Sequence, residues 1–232
     1  MTDALVIGGS SRIGAAIGRT LAALGQHVTL WGRDPGRLDL AAEQIRAAGG
    51  RAGSRVVDVR DRAALGEAAE QVLAGPRLAA VVWAAGLFDW ADADQAEPDT
   101  WDQLFDVNLV AAATATRLLL PALLTGAPSS LIYLGSGASR QAFAHNAAYV
   151  ASKHGLAGLA GGVWLDVRDR GVKVSLIAPG LVAAGAGLRS PQGQSNPEQL
   201  LQPEDVAAAV RFVVTFPDRG CPTEIRLEPQ RG

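Results

Sequence analysis

Tyr149 and Lys153 close the run Tyr149-Val150-Ala151-Ser152-Lys153. On a helix, residues i and i+4 share one face. The chain has two tyrosines, Tyr133 and Tyr149, and two lysines, Lys153 and Lys173, so a chance pairing is less expected. A phenol with a reference pKa of about 10 is a poor proton carrier at neutral pH. A cation about 5 Å away contributes roughly 3 kcal/mol at an effective dielectric of 20, or up to about 2 pKa units. The pair is therefore expected to lower the Tyr149 pKa and make it an acid–base group. Alone, such a pair is weak, because Tyr and Lys meet at this spacing on many helix surfaces.

Elements that would position the pair follow from apolar patterning. Strand-like runs fall at 4–7, 27–31, 54–57, 79–83, 131–134, 173–177 and 224–227. Several are continuously apolar, as in strands covered on both faces. Helical stretches at 15–24, 38–48, 63–73, 101–120, 148–169 and 204–214 lie between them. Strand and helix in strict turn predict one α/β domain over 1–232, with a doubly wound parallel sheet of about seven strands. The stretch 183–196 is rich in Gly, Ser, Ala and Pro. A mobile substrate loop is expected over 183–197.

The first strand runs into Gly8-Gly9-Ser10-Ser11-Arg12-Ile13-Gly14, and a helix follows. In a Rossmann-type fold this turn offers backbone N–H groups and a helix N-terminus to a pyrophosphate. Gly8 permits the tight turn and Gly14 permits close packing of helix on strand. A tight turn without a ligand is the competing reading.

This spacing resembles the short-chain dehydrogenase/reductase family, over about residues 3–228. The family's turn, Thr-Gly-x-x-x-Gly-x-Gly, has Ile7 in place of its threonine and Arg12 in place of its middle glycine. Arg12 either crowds the pyrophosphate, binds phosphate, or is a solvated arginine. The resemblance implies cofactor contacts from Gly8, Ser10, Ser11, Arg12, Ile13 and Gly14. It implies more from Asp58, Val59, Ala85, Gly86, Pro179, Gly180 and Val182, with Tyr149 and Lys153. Asp58 resembles the acceptor for an adenine amino group, although it could simply end a strand. Ala85-Gly86 is what remains of Asn-Asn-Ala-Gly, and Ala184 replaces a threonine after Pro179-Gly180.

The same resemblance completes the reacting centre. Ser136, thirteen positions before Tyr149, matches the serine that hydrogen-bonds the substrate oxygen. Asn108 matches the asparagine that holds a water beside the lysine. Asn108, Ser136, Tyr149 and Lys153 together resemble the family's catalytic tetrad. Ser136, His145 and Tyr149 are candidate substrate contacts, with Phe88, Trp90, Phe143 and Leu188 as further pocket walls. His145 could equally be a satisfied loop histidine.

Cofactor choice is expected at the second strand. NAD-selective members carry an acid there, and Gly32 stands at that position. Arg33 could grip a 2′-phosphate or be a surface charge. Asp34-Pro35 reads as a helix cap. The expected reaction is NADP(H)-dependent interconversion of a carbonyl compound and its alcohol. The rivals are a catalytically silent NADP-binding sensor or scaffold, and a cofactor-free halohydrin dehalogenase. The latter carries arginine where this chain has Lys153.

Composition bounds the partners. The 232 residues are 48% hydrophobic and 19% charged, with a formal charge of −2, which argues for a globular chain without a nucleic-acid partner. A single cysteine, Cys221, excludes an intramolecular disulfide, and three histidines show no metal spacing. The N-terminus lacks a basic, apolar leader. The uncharged run 118–139 is broken by Pro121, Gly126 and Pro128, so a helix end, loop and strand are expected, not a membrane span. A cytoplasmic protein is expected. A homodimer or homotetramer is expected through the small residues of the 101–120 and 148–169 helices, with packing on the chain's own sheet as the alternative.

Overall fold

In the computed structural model, which describes residues 2–230, seven strands pair in parallel in the order β3-β2-β1-β4-β5-β6-β7. They are β1 (Asp3–Ile7), β2 (His27–Gly32), β3 (Arg51–Val56), β4 (Leu78–Trp83), β5 (Ser129–Leu134), β6 (Val172–Pro179) and β7 (Glu224–Leu227). Side chains alternate across the sheet. Leu5 and Ile7 face one apolar cluster, and Ala4 and Val6 face the other. The central strands β5 and β6 are buried along their whole lengths, which accounts for their continuously apolar sequence.

One helical layer contains α1 (Arg12–Ala23), α2 (Pro35–Ala47) and α9 (Pro203–Thr215). The other contains α3 (Arg62–Leu73), α4 (Pro98–Phe105), α5 (Ala111–Thr125) and α6 (Ala147–Val167). Register levels the strand ends: Ile7 pairs with Trp31 and Trp83, Trp83 with Tyr133, and Leu134 with Ile177. The loops after β1, β4, β5 and β6 therefore open on one side. The strand order reverses between β1 and β4, where such sheets form a ligand crevice.

Two elements differ from the sequence expectation. Strand β3 starts at Arg51, because Arg51-Ala52-Gly53 pairs with His27-Val28-Thr29 despite having no apolar pattern. The single helix expected over 101–120 is α4 and α5 joined by a π turn, Asp106–Val110, in which the Ala111 N–H donates to Asp106 O. The stretch 183–197 carries two short helices, α7 (Ala186–Arg189) and α8 (Pro191–Ser195). The helical run 98–125 is long and apolar enough to cross a membrane by length and composition. Here its apolar face, including Val107, Ala111 and Leu119, fills the core against the sheet. Over 118–139 the chain ends a helix, turns and enters β5, as expected.

Candidate active site

The turn after β1 is built by close approach. Gly8 has φ +96°, and a Cβ there would lie 2.5 Å from the Ala85 nitrogen. A Cβ on Gly14 would lie 2.2 Å from Gly8 O, so the helix packs down on the turn as the glycine spacing required. Ser11 caps α1: its Oγ accepts from the Gly14 N–H at 2.9 Å and donates to Gly8 O at 2.9 Å. Arg12 and Ile13 open the helix, and both line the cleft. The tight turn brings the N-terminus of α1 to the cleft, an arrangement that fits a dinucleotide pyrophosphate.

At the end of β2, Asp34 caps α2 by accepting from the Arg37 N–H at 3.0 Å, with Pro35 in the first turn. The space at Gly32 is not open: a Cβ would lie 2.7 Å from Ser10 Oγ. Arg33 is exposed. Arg37, which the sequence reading passed over, lines the cleft, its Nε 3.3 Å from Asp34. Asp58 already accepts the Arg60 guanidinium, at 2.6 Å to the nearer nitrogen. That hydrogen bond is the main reason its carboxyl lies below the ordinary range, and Arg33 adds to it. The Val59 side chain is buried in the core, leaving its backbone for a ligand.

The tetrad gathers at the ends of β4 and β5. Ser136 has extended backbone, and its Oγ accepts from the Ala138 N–H at 3.2 Å. The Ser136 N–H donates to Ser139 Oγ at 3.1 Å, which fixes the loop from both ends. Tyr149, in the first turn of α6, lines the same cleft as Ser136, and Ser136 favours its ionised form. Lys153 lies one turn on, its Nζ 5.7 Å from the Tyr149 ring centroid and donating to Leu134 O at 2.9 Å. Burial lowers the Lys153 pKa to about 8. Burial also raises the Tyr149 pKa, and the neighbouring Ser136 opposes that rise. The lowering expected from Lys153 alone is thus outweighed by desolvation of the phenolate.

Asn108 sits in the π turn, fully buried. Its Oδ1 accepts from the Leu87 N–H at 2.7 Å, and its Nδ2 donates to Leu87 O and Ser152 Oγ, each at 3.0 Å. The side chain therefore clamps the loop after β4 to α6. A Cβ on Gly86 would lie 3.3 Å from Asn108 Oδ1 and 3.5 Å from Lys153 Nζ, so Gly86 lets the two converge.

Gly86, Ser136, Tyr149 and Lys153 share one cleft of about 1090 Å³, lined also by Ala85, Pro179, Gly180 and Val182, whereas Asn108, Ser10, Arg33, Asp58 and Val59 are not among its lining residues. Phe88, Trp90, Phe143 and His145 line it, while Leu188 is not among the lining residues. His145 Nδ1 pairs with the Asp92 carboxylate, so this histidine is both a cleft wall and a satisfied loop residue. Arg189, in α7, also reaches the cleft; no motif marked it in sequence.

A protein-family model described as short chain dehydrogenase matches residues 2–194. The chain belongs to the short-chain dehydrogenase family. It is accordingly an oxidoreductase. Across 98% of its length this dehydrogenase is 30% identical to sulfoacetaldehyde reductase 2 of Chromohalobacter salexigens, covering 94% of that protein. It is 29% identical over 98% of itself to the glycine betaine reductase ATRR of Emericella nidulans, but spans only 18% of that longer chain. Among solved structures, a metagenomic short-chain oxidoreductase in complex with NADP is 33% identical, with TM-score 0.87, covering 100% of this chain and 98% of that one.

Proposed function

We propose that this short-chain dehydrogenase interconverts a small carbonyl compound and its alcohol, using NADP(H), with Tyr149 as the acid–base group. The observation that carries the reading is that Ser136, Tyr149 and Lys153 line one cleft together with the residues that open α1 after the glycine turn, with Lys153 Nζ 5.7 Å from the Tyr149 ring centroid. The solved relative with NADP supports the cofactor. When bound, the nicotinamide supplies or accepts the hydride.

In the reducing direction, Ser136 Oγ donates to the substrate oxygen and polarises it. Tyr149 Oη transfers its proton to that oxygen as the alcohol forms, and takes a proton back from water. Burial favours the neutral phenol, the form needed to donate. Lys153 has three N–H donors, of which one holds Leu134 O, leaving two for ribose hydroxyls. Asn108 keeps the loop carrying Gly86 against α6. The reading includes a homo-oligomer.

Tyr149→Phe removes the donor and keeps the ring. Turnover of a carbonyl panel with NADPH, followed by loss of reduced-cofactor absorbance, is expected to fall ~10²–10⁴-fold. NADPH titration is expected to show retained binding. More than about a tenth of wild-type turnover in the variant would remove Tyr149 from the reaction. Cofactor binding without turnover in the wild type would favour the sensor reading.

A further inference from the structure

A chain of rings runs from Tyr149 to the cleft mouth. Phe88 meets Tyr149 edge-on, with centroids 4.9 Å apart and planes at 72°. Trp90 meets Phe88 in the same way at 6.2 Å and 68°. His145 stacks on Trp90 at 6.3 Å and 15°. Phe143 lies across Gly137, its ring 3.7 Å from where a Cβ would stand. Trp90 is 54% exposed and Phe143 48% exposed, yet both line the cleft. Large apolar side chains left open inside a cleft mark a place where a ligand is buried.

One residue holds this wall together. His145 is the one non-glycine residue with positive φ among the described residues, at +60°. Such a backbone persists only where its surroundings hold it. Three contacts do so. Its carbonyl accepts from the Ala91 N–H at 2.9 Å, its Nδ1 pairs with Asp92, and its ring lies on Trp90. The loop carrying 88–92 is thereby fixed against the loop carrying 143–146.

We propose that this wall recognises the aryl group of an aromatic aldehyde or ketone. Phe88 faces the aryl group, Trp90 sets the specificity by holding Phe88 edge-on, and His145 is a positioning residue that acts through Trp90. The proposal rests on the reading that Tyr149 gives its proton to the substrate oxygen. Tyr149 is both that donor and the first ring of the wall. An aryl group attached directly to the carbonyl carbon is therefore brought towards Phe88 when the oxygen meets Tyr149 and Ser136. A saturated ring gains the burial there but not the edge-to-face attraction.

The experiment compares kcat/KM with NADPH for benzaldehyde, cyclohexanecarbaldehyde and propanal. The wild type is expected to prefer benzaldehyde over cyclohexanecarbaldehyde about fivefold or more. Trp90→Ala is expected to bring that ratio to within about twofold, and Trp90→Phe, which keeps a ring, to retain most of it. His145→Ala is expected to raise KM for benzaldehyde much more than it changes kcat. Equal use of the two cyclic aldehydes by the wild type, or an unchanged ratio in Trp90→Ala, overturns the proposal and leaves the acid–base reading standing. Reduction of none of the three aldehydes also overturns the proposal, while the acid–base reading is decided separately by Tyr149→Phe on the carbonyl panel.

Discussion

Lys153 keeps an ammonium in a place that disfavours charge, and the consequence is measurable without substrate. Its folded pKa of about 8 lies below the ordinary 10.5. Between these values the unfolded chain binds more protons than the folded one, so stability rises with pH across that window. Below pH 8 both states are protonated and the burial penalty is fully present. Relative to Lys153→Met, the wild type is expected to gain about 2 kcal/mol in urea unfolding between pH 7.5 and 9.5. A difference that stays flat over that interval would mean the ammonium is not desolvated. Selectivity between cofactors belongs to the same scale. Gly32 carries no carboxylate to repel a 2′-phosphate. Arg33 is exposed, whereas Arg37 is shared with Asp34. A charge-assisted contact of roughly 1.5–3 kcal/mol predicts about 10–150-fold higher kcat/KM with NADPH than with NADH. Arg33→Ala is expected to remove most of that preference and Arg37→Ala a smaller part. An unchanged preference in Arg33→Ala would place selectivity elsewhere.

Among the elements, what could be read from sequence was what repeats with a period or recurs as a motif. The alternating apolar runs give seven strands because burial on both faces demands continuous apolar residues. The glycine turn was legible because only glycine tolerates a backbone atom 2.2–2.5 Å from its missing Cβ, as at Gly8 and Gly14. Asp34-Pro35 was legible because capping chemistry is local. What escaped depends on partners far along the chain. The π turn is one extra residue in an apolar helical stretch, and the Asn108 bonds that accompany it reach Leu87 and Ser152. The first three residues of β3 become a strand only because β2 offers them a register. The direction of the Tyr149 shift was misread because i,i+4 spacing reveals the neighbouring charge and not the depth of burial. Arg37 entered the cleft unannounced, since a charged residue in the first turn of a surface helix has no distinctive pattern.

At the scale of the whole molecule, the outer surface of α6 is the feature that its own chain leaves unexplained. Gly158, Gly161 and Gly162 are exposed, and a Cβ on any of them would meet nothing within 4 Å. Leu165, on the same face, is 59% exposed. These glycines therefore do not serve packing on the chain's own sheet, whereas Gly155, pressed on Leu109, and the buried Ala111 and Ala112 do. Glycine inside a helix lowers stability by about 1 kcal/mol relative to alanine, so three on an open face call for a use. Close approach of a second α6 across a two-fold axis supplies one, and would bury Leu165 as well. A dimer at micromolar concentration by light scattering is the expected state. Gly161→Leu separates the two explanations. Within one chain the added side chain starts from open space and replaces a poor helix former, so the thermal midpoint of the monomer fold should not fall. Between chains it would hold the helices apart, and the variant is expected to scatter as a smaller species than the wild type. A monomeric wild type, or a Gly161→Leu variant of unchanged mass, would show that α6 faces solvent.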